Sequence, residues 1–352
     1  MALKTAFNIE KLVRENIKKL RPYSSARDEF TDFDKKMVFL DANENPFDNG
    51  VNRYPDPQQR KLKKVLAELK GIAENQILLG NGSDEVLDLI FRAFCEPKID
   101  NVITLPPTYG MYKVLADVND VENREVLLTE DFQPDVARIS ATADKNSKLL
   151  LLCSPNNPTG NAFEPDRIEQ LLKKFNGLVI IDEAYIDFSD QQTWLKKLDI
   201  FSNLIVTQTL SKAYGMAGIR LGIAFASREI ISVLSKIKPP YNINELTQQR
   251  ALKAVLNREL VENDIDTILR EKNKLFKALL QIKIIEKAYA SDANFILSRI
   301  DDANKRYAQL LERGIVIRNR STQPLCSDTL RFTVGTKTEN EKLIAALKEI
   351  DK

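Results

Sequence analysis

Three apolar runs in this chain each open onto side chains that could do chemistry. After "LLLLC" comes "SPNNPTG", with Asn157; after "LVII" comes Asp182, with Tyr185 close behind; after "LIVTQ" comes "TLSK", ending at Lys212. A lysine amine can condense with a carbonyl to form a Schiff base, but only when neutral. At the ordinary lysine pKa of ~10.4, about one amine in 10³ is neutral at pH 7. A nearby cation such as Arg220, or desolvation, would raise that fraction. Each residue also has a plainer reading. "SPNNPTG" is rich in turn formers, Asp182 could cap the segment after it, and Lys212 could be a solvated loop lysine. Their arrival together at the ends of successive apolar runs argues for a site.

Those runs, with "NQILLG", "NVITLPP" and "RLGIAFAS", alternate with helix-like segments such as "SDEVLDLIFRAFCE". Uninterrupted Val, Ile and Leu predicts strands buried on both faces of a largely parallel sheet covered by helices. Ligands bind beyond the carboxyl ends of such strands, where these four side chains fall. "LGNGSDE" adds small residues leading into a helix whose first N–H groups lack partners, a place for an anion of phosphate size. Capping of that helix by Ser83 or Asn81 is the simpler alternative. A dinucleotide fingerprint fails because Glu85 stands where the third glycine is needed, and no P-loop "GKS" or "GKT" occurs. Histidine is absent, which excludes imidazole-based triads and histidine-ligated zinc. Proton transfer near neutral pH is left to lysine, carboxylate, tyrosine or a cofactor. A Schiff-base lysine, an aspartate for a pyridinium nitrogen and a phosphate cradle are together the requirements of pyridoxal 5'-phosphate.

The stretches "RPYSSAR", "LDANENPF", "RYPDP", "GNGSDE", "PPTYGMY", "SPNNPTG", "IDEAYIDF", "TLSKAYGMAGIRLG" and "TLRFTVG" follow one another from residue 21 to 335. In that order the chain resembles the fold-type I pyridoxal-phosphate aminotransferases, and within them the histidinol-phosphate branch. The resemblance implies a large α/β domain, with a mostly parallel central sheet flanked by helices, and a smaller α+β domain. It implies that Lys212 bonds the cofactor aldehyde and then carries the proton between substrate Cα and cofactor C4′. Asp182 would keep the ring nitrogen protonated, Asn157 and Tyr185 would hydrogen-bond the phenolic oxygen, and Tyr109 would stack on the ring. Ser83, Asp84 and Glu85 at the helix start, with Thr209, Ser211 and Arg220, would surround the phosphate. Tyr54 would reach the phosphate of a neighbouring subunit, making a homodimer the working unit. Tyr23, Asn43, Tyr54, Tyr109, Asn157, Arg318 and Arg331 would meet the substrates, histidinol phosphate and glutamate or 2-oxoglutarate, in ping-pong order. An aromatic amino acid aminotransferase and a threonine-phosphate decarboxylase are the alternatives within the fold. From other classes come a nicotinamide-dependent oxidoreductase using "GNGSDE", and a non-catalytic binding protein, against which Lys212 stands.

At 352 residues the chain suits two domains. The expected division is an N-terminal arm over residues 1–40 packing with the small domain, a large domain over 41–240 and a small domain over 241–352. The proline pair in "KIKPPYNIN" marks the second boundary. Net charge is +2 with the signs interspersed, which argues against nucleic acid or an anionic membrane as partner. No apolar run is long enough to cross a bilayer, and the N-terminus lacks the apolar core of a secretion signal. Three scattered cysteines form neither a disulfide framework nor a metal cluster, so a cytoplasmic protein without a metal is expected.

Overall fold

Residues 8–29 and 37–352 are described by a computed structural model. After a short helix, α1 (Glu15–Lys19), come α2 (Arg60–Lys70), β1 (Ile77–Asn81), α3 (Gly82–Phe94), β2 (Asn101–Thr104), α4 (Met111–Val118), β3 (Glu122–Glu125) and α5 (Val136–Thr142). β4 (Ser147–Cys153), α6 (Pro165–Lys174), β5 (Leu178–Asp182), β6 (Leu204–Thr209), β7 (Leu221–Ala226) and α7 (Arg228–Ile237) complete the first unit. Its seven strands lie in the order β1-β7-β6-β5-β4-β2-β3, all parallel except β7, which is antiparallel to both neighbours.

The apolar runs explain this layering. Alternate residues of a strand face opposite sides, so Leu150, Leu152, Val179, Ile181 and Val206 pack beneath α2 and α6. Leu149, Leu151, Leu178, Ile180 and Ile205 pack against α3, α4 and α7 on the other face. Each such side chain contributes about 1.5–3 kcal/mol by leaving water, which pins the register and so the position of whatever follows each strand. β3, with sequence ENRE, carries no hydropathy signal. It is an edge strand, where charged side chains keep solvent and discourage pairing with other chains.

The N-terminal arm differs from expectation. Val13 and Ile17 enter the core shared by α3, α4 and α7, and Arg14 pairs with Glu96 at 3.2 Å, so α1 packs on the large unit and not on the small one. The parts of the arm at residues 1–7 and 30–36 lie outside the described residues.

The remaining elements are α8 (Glu245–Leu256), α9 (Arg258–Leu279), β8 (Ile285–Ala288), β9 (Phe295–Ile300), α10 (Ala303–Glu312), β10 (Arg318–Asn319), β11 (Thr329–Thr333) and α11 (Lys337–Ile350). The last four strands form an antiparallel sheet in the order β10-β11-β9-β8. Its core is built from α9, α10, α11 and these strands. Ile243, Ala251 and Val255 instead join the core of the first unit. By packing, then, the division falls within α9, later than the proline pair near residue 240. The charged stretch from residue 245 onward forms two helices, separated at Asn257.

Candidate active site

The carboxyl ends of β4, β5 and β6 lie side by side, Cys153 opposite Asp182 and Asp182 opposite Thr207. Above them is a cavity of about 340 Å³. Asp182, Tyr185, Asn157, Thr209, Ser211 and Lys212 line it from the strand ends. Ser83, Asp84, Tyr109 and Arg220 close one side; Arg318, Arg320 and Arg331, from the second sheet, close the other.

Asp182 is 3% exposed. Its Oδ2 accepts from the Tyr112 hydroxyl at 2.8 Å and its Oδ1 from the Ala184 N–H at 3.2 Å. Burial pushes its pKa up, with the Tyr112 hydrogen bond opposing. Both partners are uncharged, so the carboxylate calls for a cation from the cavity; a protonated ring nitrogen would supply one. Tyr112 itself is fully buried. It sits at helical spacing among core residues, so nothing in the sequence sets it apart from packing.

The Lys212 amine lies 5.6 Å from the Tyr185 ring centroid. The side chain keeps access to solvent through the open cavity, yet desolvation by its surroundings lowers its pKa, followed by the charge of Arg331 and, further down, of Arg220. The cation that most favours the neutral amine is therefore Arg331, brought in by the second sheet. Burial also raises the pKa of the Tyr185 hydroxyl, keeping it a hydrogen-bond donor.

The helix-start site is built around β7. No side chain caps α3, so the simpler capping role for Ser83 or Asn81 does not apply. The Gly82 N–H donates to the Arg220 carbonyl at 2.9 Å. Arg220 holds a left-handed φ of 53°, a conformation costing about 1–2 kcal/mol in a residue with a Cβ. That backbone turn puts its guanidinium 3.5 Å from Asp84 Oδ2 and over Gly82. Glycine at 222 is required by close approach: a Cβ there would lie 2.3 Å from both the Gly82 carbonyl carbon and the Ser83 nitrogen. Gly222→Ala is expected to cost about 1–3 kcal/mol by overpacking and to loosen anion binding at the helix start. Thermal unfolding, together with the absorbance of retained cofactor after dialysis, checks both.

Asn157 accepts from an Arg331 Nη1–H, joining the two sheets across the cavity. Neighbouring Asn156 is buried and anchors the turn by donating to the Pro107 carbonyl at 2.9 Å and to Thr159 Oγ1 at 2.7 Å. The bonds preceding Pro107, Pro155 and Pro158 are cis. Tyr109 donates to Asp84 Oδ1 at 3.1 Å.

Four expected residues lie elsewhere in the single chain. Glu85 turns away from the cavity, its carboxylate accepting from the Asn81 N–H and from Asn242 Nδ2 at 2.8 Å; it holds the β1–α3 turn instead. Tyr23 is 75% exposed. Asn43 and Tyr54 line a separate pocket with Tyr241 and Leu246. The "LDANENPF" motif acts locally. Arg27 pairs with Asp41 and Glu44 at 2.7 Å each, and Glu44 also takes Arg53 and the Tyr54 N–H.

A family profile described as Aminotransferase class I and II matches residues 34–347. The chain belongs to this family. A histidinol-phosphate aminotransferase of Flavobacterium johnsoniae is 62% identical over 343 residues, 97% of this chain and 98% of that one. One from Bacteroides fragilis is 52% identical over 341 residues, covering 97% and 99%. Among solved structures, the histidinol-phosphate aminotransferase from Clostridium acetobutylicum matches with a TM-score of 0.79 at 25% identity, over 86% of this chain and 91% of that one. The protein is thus a fold-type I aminotransferase, grouped with histidinol-phosphate aminotransferases.

Pyridoxal 5'-phosphate fits this aminotransferase cavity on its own residues. A buried carboxylate lacking a cation, an amine with a lowered pKa and an uncapped helix start beside Arg220 match its ring nitrogen, aldehyde and phosphate. No cluster suited to a metal ion occurs among the described residues.

Like Tyr112, a residue beside the site carries no sequence signal of its own. Glu183, next to Asp182 but facing away, accepts from the Thr193 hydroxyl at 2.6 Å, the Trp194 N–H at 2.7 Å and Gln208 Nε2 at 2.8 Å. It thereby ties the loop that carries Tyr185 to the strand that delivers Lys212. Burial outweighs these bonds and pushes its pKa up to about 7. Its folded pKa is above the unfolded value, so the folded state holds the extra proton between pH ~4.5 and ~7. Stability from this group is present below that window and is lost as pH rises through it, by about 3 kcal/mol at most. Glu183→Gln should flatten that part of the pH–stability curve, as read by urea unfolding at pH 5 and pH 8.

Proposed function

We propose that this aminotransferase interconverts histidinol phosphate plus 2-oxoglutarate and imidazole acetol phosphate plus glutamate, with pyridoxal 5'-phosphate as cofactor. The observation that carries the reading is the facing of Lys212 and Asp182, on one sheet, by Arg318 and Arg331 on the other across a single cavity. The name shared by relatives at 52% and 62% identity supports the substrate.

When bound, the cofactor supplies an electron sink for the carbanion at substrate Cα. Asp182 would hold its ring nitrogen in the protonated form, Asn157 and Tyr185 would donate to its phenolic oxygen, and Tyr109 would cover its face. Ser83, Asp84, Thr209, Ser211 and Arg220, lining the same cavity, would hold its phosphate. Desolvation and the charge of Arg331 lower the pKa of the Lys212 amine, which favours its free-base form, and this amine would take the proton from substrate Cα and return it at cofactor C4′. Arg331 takes the substrate anion next to Cα, where a planar guanidinium suits two-point capture.

The working unit is a homodimer. Tyr54 stacks on Tyr241 with ring centroids 4.5 Å apart yet stays half exposed, in a pocket it shares with exposed Val51 and Leu246, and Val38, Leu40 and Phe47 in the same N-terminal stretch are exposed as well. An apolar face of this kind calls for a partner, and a second copy would bring Tyr54, Asn43 and Tyr23 to its neighbour's cavity. Buried, unpaired cysteines suit a cytoplasmic setting, and no helix among the described residues is long and apolar enough to cross a membrane. The test is a panel of amino donors offered to the purified, cofactor-loaded protein, alongside its mass by sedimentation. Preference for histidinol phosphate and a dimeric mass are expected. A strong preference for phenylalanine would overturn the substrate assignment.

A further inference from the structure

Three guanidinium groups line one wall of the cavity, and the proposed reaction uses only two of them. Arg318 of β10 lies directly opposite Arg331 of β11. Arg320 follows two residues later, its N–H donating to the Thr329 carbonyl at 2.9 Å, so it emerges on the same face as Arg318. Arg320 and Arg331 each bury an Nε–H with no partner. The two carboxylates of the cavity are already engaged elsewhere, Asp84 with Tyr109 and Arg220, and Asp182 with Tyr112. Burial, followed by the charges of Arg331 and Arg318, pulls the Arg320 pKa down to about 10. Among the described residues no carboxylate forms an ion pair with these three like charges, so the wall is held at a cost, and that cost is removed by an anion carrying more than one charge.

The substrate chemistry says which anion. An amino acid offers a planar carboxylate with one charge next to Cα, and Arg331 alone satisfies it in a two-point contact. A phosphate monoester in the same place offers three oxygens and, above its second pKa of about 6, nearly two charges. It also extends further from Cα, within a cavity whose lining includes Arg318 and Arg320 besides Arg331. We infer that Arg320 is a specificity-determining residue that reads the phosphate of the phosphorylated substrate. It supplies, beside Arg318 and Arg331, the charge that a carboxylate does not need. This deepens the proposed function and rests on it for the identity of the phosphate ester.

The test compares wild type with Arg320→Gln and Arg320→Lys, all cofactor-loaded, in separate half-reactions with histidinol phosphate and with glutamate. Loss of one charge-assisted contact should change the ratio of the two kcat/KM values by about 10–100-fold against histidinol phosphate. The change should appear mainly in KM, and Arg320→Lys should recover part of it. Calorimetric titration of the loaded protein with inorganic phosphate gives a readout independent of turnover. Wild-type affinity should strengthen from pH 5.5 to pH 7.5 as phosphate gains its second charge, and Arg320→Gln should flatten that dependence. An equal loss on both substrates, or an unchanged ratio and unchanged phosphate affinity, would overturn the inference. If wild type fails to turn over histidinol phosphate, the proposed function falls, and the phosphate titration still decides whether Arg320 reads a phosphate.

Discussion

Lys212→Ala is expected to slow transamination by about 10³–10⁴-fold or more, because it removes both the bond-forming amine and the base that moves the Cα proton. Without histidine in the chain, the cavity holds no imidazole to take over. The other lining groups make poor substitutes. Burial raises the pKa of the Tyr185 and Tyr109 hydroxyls, and Asp182, bound to the Tyr112 hydroxyl, would be committed to the cofactor's ring nitrogen. The fold should be indifferent to the change, since Lys212 lies in a turn after β6 and its side chain is exposed to the open cavity. A single-turnover reaction with glutamate, followed by cofactor absorbance, measures the loss, and an unchanged melting temperature separates chemistry from folding. Full turnover in the variant would remove Lys212 from the mechanism.

Asp182→Asn should have the next largest effect, and in two directions. With cofactor bound, the variant leaves a protonated ring nitrogen without its carboxylate. Breaking a buried ion pair in this way costs about 3–5 kcal/mol, or roughly 10²–10⁴-fold in rate if the loss is felt at the transition state. Without cofactor the sign reverses. Burial raises the Asp182 pKa, so the apoprotein holds this proton above the pH at which the unfolded chain releases it. Stability from the group is present at low pH and is lost as pH rises. The asparagine variant lacks that loss, and its apoprotein should be less sensitive to pH than the wild type. Chemical unfolding of both apoproteins across pH 4–7 reads this directly. A wild-type curve no steeper than that of the variant would mean that Asp182 ionises freely without a cation.

Asp182, Lys212 and Asn157 stand at the ends of uninterrupted apolar runs, and a strand buried on both faces can only release its next residue at a sheet edge. Tyr112 gave no such signal, because a tyrosine among Leu115 and Ala116 at helical spacing is ordinary core until Asp182 is seen 2.8 Å from its hydroxyl. Glu183 looked like part of a motif centred on its neighbour; the pleat turns it to the opposite side, where Thr193, Trp194 and Gln208 meet it. Arg320 shares its strand face with Arg318, and a period of two could have revealed it. Glu85 misled in the other direction, since adjacency to Ser83 and Asp84 does not put a helical residue on the same face.

The layered α/β fold and the chemistry at the strand ends are legible along the chain alone, because hydrophobic periodicity and strand termini are local properties. The sequence also carried the family, through motifs spread from residue 21 to 335. Only the tertiary structure decided which cation sits closest in effect to the Lys212 amine, where the N-terminal helix packs, and how many guanidinium groups face the cavity. Each of these depends on elements far apart in sequence meeting across a packed interface. Charge and burial at such a meeting are set by distance in space, which spacing along the chain does not encode.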